Sequence, residues 1–559
     1  MTTRARRIQL STGLVFATAL CLSPSAAGPK FFDDDPIQQE PITQNVTSAV
    51  NYEPDLVFQT LEGLFTTPGG PVTGVRAQNI NTIDEVPDGM FYVNRAGRLD
   101  LTPQIVARAS NTSDGPASGL WTVISAKSDG VTPGFTIRDS AKTVWFIKFD
   151  PPGWRGMATG SEMVAAKLFW AVGYHTVEYH LGQLQRSNLV VDPEARITPV
   201  GEVERTMVDA DVDRLLSSAD RDSDGTYRVI LSKAAPGKVV GRIRFHGTRT
   251  DDPNDLVPHQ HHRELRGYKV FAAWLQHVDA KGINSVATLV TDNGRAYIRR
   301  YLLDFGSTLG SAAVGPREKW EGYEELIEKR SDIGKRTVAF GLLVPEWAKM
   351  KWYEAPAVGR LPVSSQGWDP RKWEPHTSNG AFDNIRDDDA FWAAEKLTYI
   401  SDAMIDAAVR EGRFGNEEAS QHLAQFIRER RLRILQTYLP AVNPITRPSI
   451  EGSNLQFHNA AIEAGVAAAP KGYQATWYAF DNATDSAKPL GAGGTISGGQ
   501  TASGSGVISL PLPPKLDGQF VKVDISATGA PNPAWEKPVS VYFRRAGQGW
   551  RLVGLERMP

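Results

Sequence analysis

Hydrophobic periodicity changes its period twice along this chain, and that order of elements limits the architectures open to it. Trp121–Ala126, Gly134–Arg138 and Val144–Phe149 are apolar runs of strand length, separated by turn-forming residues at 130–133 and 139–142, and they predict a three-stranded antiparallel meander. Residues 161–172 then place Met163, Ala166, Leu168, Phe169 and Val172 at helical spacing and stop at Gly173. Two further strands are expected at 177–181 and 227–232. Past about residue 237 the period becomes helical, over 263–275, 389–399, 402–410 and Glu417–Tyr438. Past Pro440 it returns to strands, at 475–480, 506–510, 520–525, 539–543 and 550–555, around a Gly- and Ser-rich stretch at 491–506. Strands first and helices later predict an α+β chain with two lobes, 117–236 and 237–440. A small C-terminal β-sandwich at 441–559 follows, expected to be non-catalytic and to attach the chain to a surface or a protein partner. Residues 28–116, rich in Asp, Pro, Asn and Gly, read as an extended N-terminal segment with one short helix capped by Thr102, Pro103 standing in its first turn.

Composition narrows the chemistry. A chain of 559 residues at 41% apolar content can bury several cores. Its 61 basic and 63 acidic side chains nearly cancel, so no global field draws in phosphate backbones and a nucleic-acid partner is not expected. The one cysteine, Cys21, excludes a disulfide framework, a thiolate zinc site and cysteine catalysis. It sits inside what reads as a secretory signal peptide over residues 1–27: Arg4, Arg6 and Arg7, an apolar stretch too short to span a bilayer, then Ser25-Ala26-Ala27. No later segment reaches spanning length without charge, so the mature chain is expected to be soluble and extracytoplasmic, either periplasmic or secreted.

Chemistry concentrates in two short segments. His277-Val278-Asp279-Ala280-Lys281-Gly282-Ile283-Asn284 is followed, after a short apolar hairpin, by Leu303-Asp304-Phe305-Gly306. A carboxylate that accepts a hydroxyl proton, with an amide oxygen and a second carboxylate that hold magnesium against phosphate oxygens, is what phosphoryl transfer requires, and Asp279, Asn284 and Asp304 supply those groups. The pattern resembles the catalytic loop and metal-binding motif of protein kinases, H-R-D-x-K-x-x-N followed by D-F-G. Seven fixed residues in order across about thirty positions, each at odds of roughly one in twenty, rarely arise by chance. Upstream, Trp145-Phe146-Ile147-Lys148 on the third strand fits the strand lysine of that superfamily, and Glu162, read as opening the next helix, fits its ion-pair partner. The stretch from Gly130 to Gly134 stands where a phosphate-covering hairpin belongs, although it is shorter than G-x-G-x-x-G.

The resemblance covers about residues 119–440 and is nearest to atypical bacterial or secreted branches such as the spore-coat kinases. It implies a two-lobed kinase-like fold, with a β-rich N-lobe and a helical C-lobe, that uses ATP and magnesium on an unknown hydroxyl acceptor. It also implies roles. Lys148 binds the α and β phosphates and Glu162 orients it, with the backbone at Gly130 and Gly134 above them. Asp279 is the base and Lys281 touches the γ phosphate, while Asn284 and Asp304 ligate magnesium. Residues 227–233 form the strand that runs into the adenine hinge. Two other classes share such a scaffold: a secreted non-catalytic binding protein, and an adenylate transferase using the same site. Val278 replaces the arginine that pairs with a phosphorylated activation loop, which predicts a constitutive site. Val344-Pro345-Glu346 resembles the end of an activation segment.

Three weaker features are read structurally. Residues 220–225 begin like a calcium loop, but Leu231 falls where the bidentate carboxylate belongs, so a polar hairpin turn is expected. His259, His261 and His262 beside Asp251, Asp252 and Asp255 form either a metal site or a polar loop in which Asp255 and Arg263 organise the lobe boundary. Arg428, Arg430, Arg431 and Arg433 read as a solvated helix face.

Overall fold

The computed structural model describes residues 28–53, 69–126, 134–199, 203–312, 314–325, 344–490, 495–498 and 506–557. The expected signal peptide and Gly130 lie outside them. The fold is mixed α+β with several sheets. The meander forms as its pattern predicts: β1 (Trp121–Ala126), β2 (Gly134–Arg138) and β3 (Val144–Phe149) pair antiparallel in order. In β3 the period of two puts Trp145, Ile147 and Phe149 into a buried cluster and turns Lys148 to the other face. The chain then enters α2 (Met157–Val172), after the short α1 (Pro103–Arg108) of the N-terminal segment. Asp150 starts α2 by accepting from the Gly156 and Thr159 amides at 2.8 and 2.9 Å. The helix is buried nearly all round, so small residues line it. A Cβ on Gly160 would lie 2.4 Å from the Phe414 ring, and one on Gly173 (φ 126°) would lie 2.2 Å from the Tyr92 ring.

Four more strands complete this sheet. They are β4 (Tyr179–Leu184), β5 (Leu189–Ile197), β6 (Arg205–Thr206) and β7 (Tyr227–Lys233), in the order β4-β7-β3-β2-β1-β5-β6. The strands β5 and β6, with the helix α3 (Asp209–Leu216) whose Val212 and Leu216 cover the buried face, are absent from the sequence expectation. Residues 220–225 make the expected turn, Asp222 N donating to Thr226 O at 2.8 Å.

Next come β8 (Lys238–Val239) and α4 (Arg263–Trp274), and then β9 (Ser285–Asp292) and β10 (Arg295–Leu302). Asn293 and Gly294, both at positive φ, close the β9–β10 hairpin with a two-residue turn whose handedness matches strand twist. The helices α5 (Asp387–Thr398), α6 (Asp402–Glu411) and α7 (Glu417–Tyr438) pack with α4 and α2. The solvated-face expectation for the arginines of α7 needs correcting at Arg430, which is fully buried with its guanidinium 3.5 Å over the Trp368 ring. The segment carrying Trp368 covers that side of α7, so the cation is satisfied by a π face and burial lowers its pKa to about 9. Arg428 and Arg431 pair at the surface with Asp406 and Asp402.

After a two-stranded hairpin of β11 (Trp352–Ala355) and β12 (Gly359–Pro362), the C-terminal strands form two sheets: β13 (Ile445–Glu451), β14 (Asn454–Asn459) and β18 (Val507–Pro511), and a larger one. The larger sheet holds β15 (Gly472–Asp481), β16 (Ser486–Pro489), β17 (Thr495–Gly498), β19 (Phe520–Thr528), β20 (Val539–Ala546) and β21 (Gly549–Arg557). One buried apolar cluster runs from Val86 through α2, α4, α5 and α7 into Trp477 and Val541, so these sheets share a core with the helices. The N-terminal segment is a strap. Phe31 packs on Phe480 and Tyr542, Val46 N donates to Ala296 O, and Tyr52 bridges to Gly241. Among the described residues no helix is long and apolar enough to cross a membrane.

Candidate functional site

Lys148 is where three elements meet. Its Nζ lies 2.9 Å from Glu162 Oε1 and 2.8 Å from Asp304 Oδ1, joining β3, α2 and the segment after β10. Gly134, the first residue of β2, is the cross-strand partner of Lys148. Glu162 does not open its helix as expected. The helix begins at Met157, because Asp150 caps it early, and Glu162 falls in the second turn, where its carboxylate is almost wholly buried. Burial works against the charge on Lys148, yet Asp304 and Glu162 outweigh it and hold the ammonium above its ordinary pKa.

A backbone bond explains how two motifs twenty residues apart converge. The β9–β10 register pairs Ser285 with Leu302, and Leu303 N then donates to Asn284 O at 3.0 Å. Asp304 follows at φ 56°, a left-handed conformation that Asp tolerates better than most residues and that persists only where the surroundings impose it. Those surroundings are Lys148 on its carboxylate and Phe305 behind it, stacked at 5.0 Å on Phe169 of α2 and at 5.6 Å from His277. Burial drops the His277 pKa to about 4, so this ring acts as packing rather than as a base.

The second group gathers on the loop that leaves α4. Asp279 Oδ1 pairs with Lys281 Nζ at 2.5 Å, and its Oδ2 accepts from Asn284 Nδ2 at 2.8 Å. Committing Nδ2 to Asp279 leaves the Asn284 amide oxygen as the atom able to ligate a cation. Gly282 packs its α-carbon against the 238–245 segment, where a Cβ would meet Ile243 O at 2.4 Å. Two residues here carried no sequence signal. His376 places Nδ1 3.6 Å from Asp279 Oδ1 and Nε2 2.6 Å from Glu321 Oε1. Burial pushes the Asp279 carboxyl up, but His376, Lys281 and Asn284 together hold it far below the carboxylate range.

The expected site side chains thus fall into two bonded groups, Lys148–Glu162–Asp304 and Asp279–Lys281–Asn284, joined through Asn284 and Leu303, with Gly134 opposite Lys148 in the sheet. The histidines 259 and 262 are used otherwise: His259 binds Asp255 at 2.8 Å and the Arg244 carbonyl at 2.7 Å, while His262 binds Glu264 at 2.9 Å. Among the described residues no group of three or more His, Cys, Asp or Glu side chains could hold a metal by itself. The helix carrying Glu346 begins directly after Val344-Pro345. No family model matches the chain, and no match was found among curated proteins or solved structures.

Proposed function

We propose that this chain is an exported, two-lobed kinase-like phosphotransferase that moves the γ-phosphoryl group of ATP to a hydroxyl acceptor. The observation that carries the reading is the shared Lys148: a strand lysine bonded at 2.9 Å to a buried helix glutamate and at 2.8 Å to the aspartate of the second motif. Ordinary surface lysines are solvated and make no such pair of contacts. A cation held between two carboxylates, only one of them buried, is prepared to exchange the exposed partner for phosphate oxygens while Glu162 keeps its direction.

The donor set suits magnesium. That ion takes one or two protein oxygen ligands and fills its sphere with water and substrate phosphates, so Asn284 and Asp304 suffice without a third side chain. When bound, magnesium neutralises charge on the transferring phosphates. The protein's own part is positional. Asp279 faces the acceptor hydroxyl and takes its proton, as the acceptor oxygen forms a bond to the γ-phosphorus and the bond to the bridging oxygen breaks. ADP departs with that electron pair. Lys281, beside Asp279, meets the charge on the γ-phosphoryl oxygens. A carboxylate held so far below its usual pKa is a weak base, which fits a loose transition state in which the acceptor proton leaves late.

Melting of the full chain with ATP and magnesium tests this. The wild type rises in Tm with ATP plus magnesium and not with ATP plus chelator, while Asp304→Ala loses the rise. An unchanged Tm in both leaves a non-catalytic binding protein on the same scaffold. Mass spectrometry of the incubated protein separates added phosphate from added adenylate. Export belongs to the same proposal and is checked by N-terminal sequencing of the chain recovered from its cell envelope.

A further inference from the structure

We propose that His376, backed by Glu321, is a positioning residue for Asp279, a brace that reaches in from the irregular segment before Gly380 and fixes the carboxylate that faces the acceptor. The proposal rests on the phosphotransferase reading of Asp279. Three contacts carry it. The His376 ring spans Asp279 Oδ1 (3.6 Å from Nδ1) and Glu321 Oε1 (2.6 Å from Nε2). Its backbone N donates to Val278 O at 2.8 Å, so the ring cannot drift from the loop it serves. Glu321 is buried and held in turn, its Oε2 accepting from the Glu318 amide at 2.7 Å.

The chemistry of the ring selects its charge. A neutral imidazole has one N–H and one lone pair, so between two carboxylates it leaves a lone pair facing an anion, whereas the imidazolium turns an N–H toward each, hydrogen-bonded to Glu321 and ion-paired with Asp279. The charged groups facing the ring are Asp279 and Glu321, which favour the cation, and Arg317, which opposes it; the Trp320 ring lies alongside at 5.9 Å. Burial also opposes the charge, and the two carboxylates prevail, raising the His376 pKa. The result is an Asp279 engaged on both oxygens, Lys281 and His376 at Oδ1 and Asn284 at Oδ2, with a lone pair of Oδ2 left for the acceptor. Held on both oxygens, the carboxylate keeps one rotamer and one ionisation state toward the acceptor.

The test pairs a proton NMR titration of the full chain, with isotope-labelled histidine and the His376 signal assigned by its loss in His376→Asn, with ADP release from magnesium and ATP across pH. In the wild type the His376 midpoint lies above the ordinary histidine value, and it falls in Glu321→Gln and in Asp279→Asn. Because a raised pKa means that the cation is present at low pH and lost as pH rises through the midpoint, ADP release declines on the alkaline side in the wild type. In His376→Asn that decline is gone, release drops about tenfold or more, and ATP affinity holds within about twofold. Should His376→Asn not fold, Glu321→Gln, which keeps the ring and its backbone bond, gives the same decrease in release and a lower midpoint. A midpoint at the ordinary value that Glu321→Gln does not move, or a His376→Asn enzyme with the wild-type rate and profile, overturns the brace. If the wild type neither binds ATP nor releases ADP, the phosphotransferase reading fails instead, and the NMR midpoint alone decides the brace.

Discussion

At the N-terminal end of α4 the guanidinium of Arg263 is shared by Asp84 at 2.6 Å, Asp388 at 3.3 Å and Asp389 at 3.2 Å, and Arg266 adds a bond to Asp389 at 3.0 Å. Past the other end of the same helix lie Asp279 with Lys281 and, through Asn284, Asp304 with Lys148. Both clusters set Asp carboxylates against cationic side chains, and they differ in what closes them. Arg263, Asp388 and Asp389 have no exposed side-chain surface, whereas Asp304 is 38% and Asp279 26% exposed. The first cluster is sealed by the strap, which brings Asp84, and by β21, which brings Arg557 to within 3.5 Å of Asp84. Charge balance completed inside the protein fixes elements to one another. On the proposed reading, the side left open is where nucleotide and magnesium complete the charge balance.

The sealed cluster should break hardest. Arg263→Ala leaves three buried carboxylates without their shared cation, and stability should fall by about 3–5 kcal/mol, read as a shift in the urea midpoint. A loss below about 1 kcal/mol would mean that the cluster is wetter than its geometry says. Acid should attack the same place. Burial opposes ionisation of Asp84, but Arg263, Arg76 and Arg557 hold its pKa down to about 2. Since the folded pKa is the lower one, this group stabilises above its ordinary value of about 3.9 and the benefit is lost as pH falls through about 2, a change of about 2.5 kcal/mol. Melting curves across that window should slope less in Asp84→Asn. The open cluster should matter least to the fold: without nucleotide, Asp304→Ala should change stability by less than about 1 kcal/mol, while abolishing the response to ATP and magnesium.

Local order was largely legible. The boundaries of β1, β2, β3 and α7 follow from alternation, from turn residues and from helical spacing, and the bonded pairing of Lys148 with Glu162 follows the order of those elements. What escaped has physical causes. The strand β5 carries Asp192, Pro193 and Glu194 in its middle, residues that read as a turn, and survives because β1 pairs with it at either end of that kink. The helix α3 is short and acidic, and of its apolar residues only Val212 and Leu216 are fully buried. Glu162 was placed a turn too near its helix start because Asp150, outside any apolar period, begins the helix. His376 and Glu321 stand in irregular backbone nearly a hundred and more than forty residues beyond Asp279, and no period or spacing ties them to it. The sealed cluster was half visible, since Arg263 was expected to organise a boundary; its partners Asp84, Asp388 and Asp389 come from segments with no shared pattern.

The claim that the open cluster receives a nucleotide is tested most directly by calorimetric titration of an ATP analogue, with magnesium present, into the wild-type chain and Lys148→Met. Saturable one-to-one heat in the wild type, lost on adding chelator and weakened at least about tenfold in Lys148→Met, is the predicted result. Absence of heat in the wild type, or an equal affinity in both proteins, would contradict it.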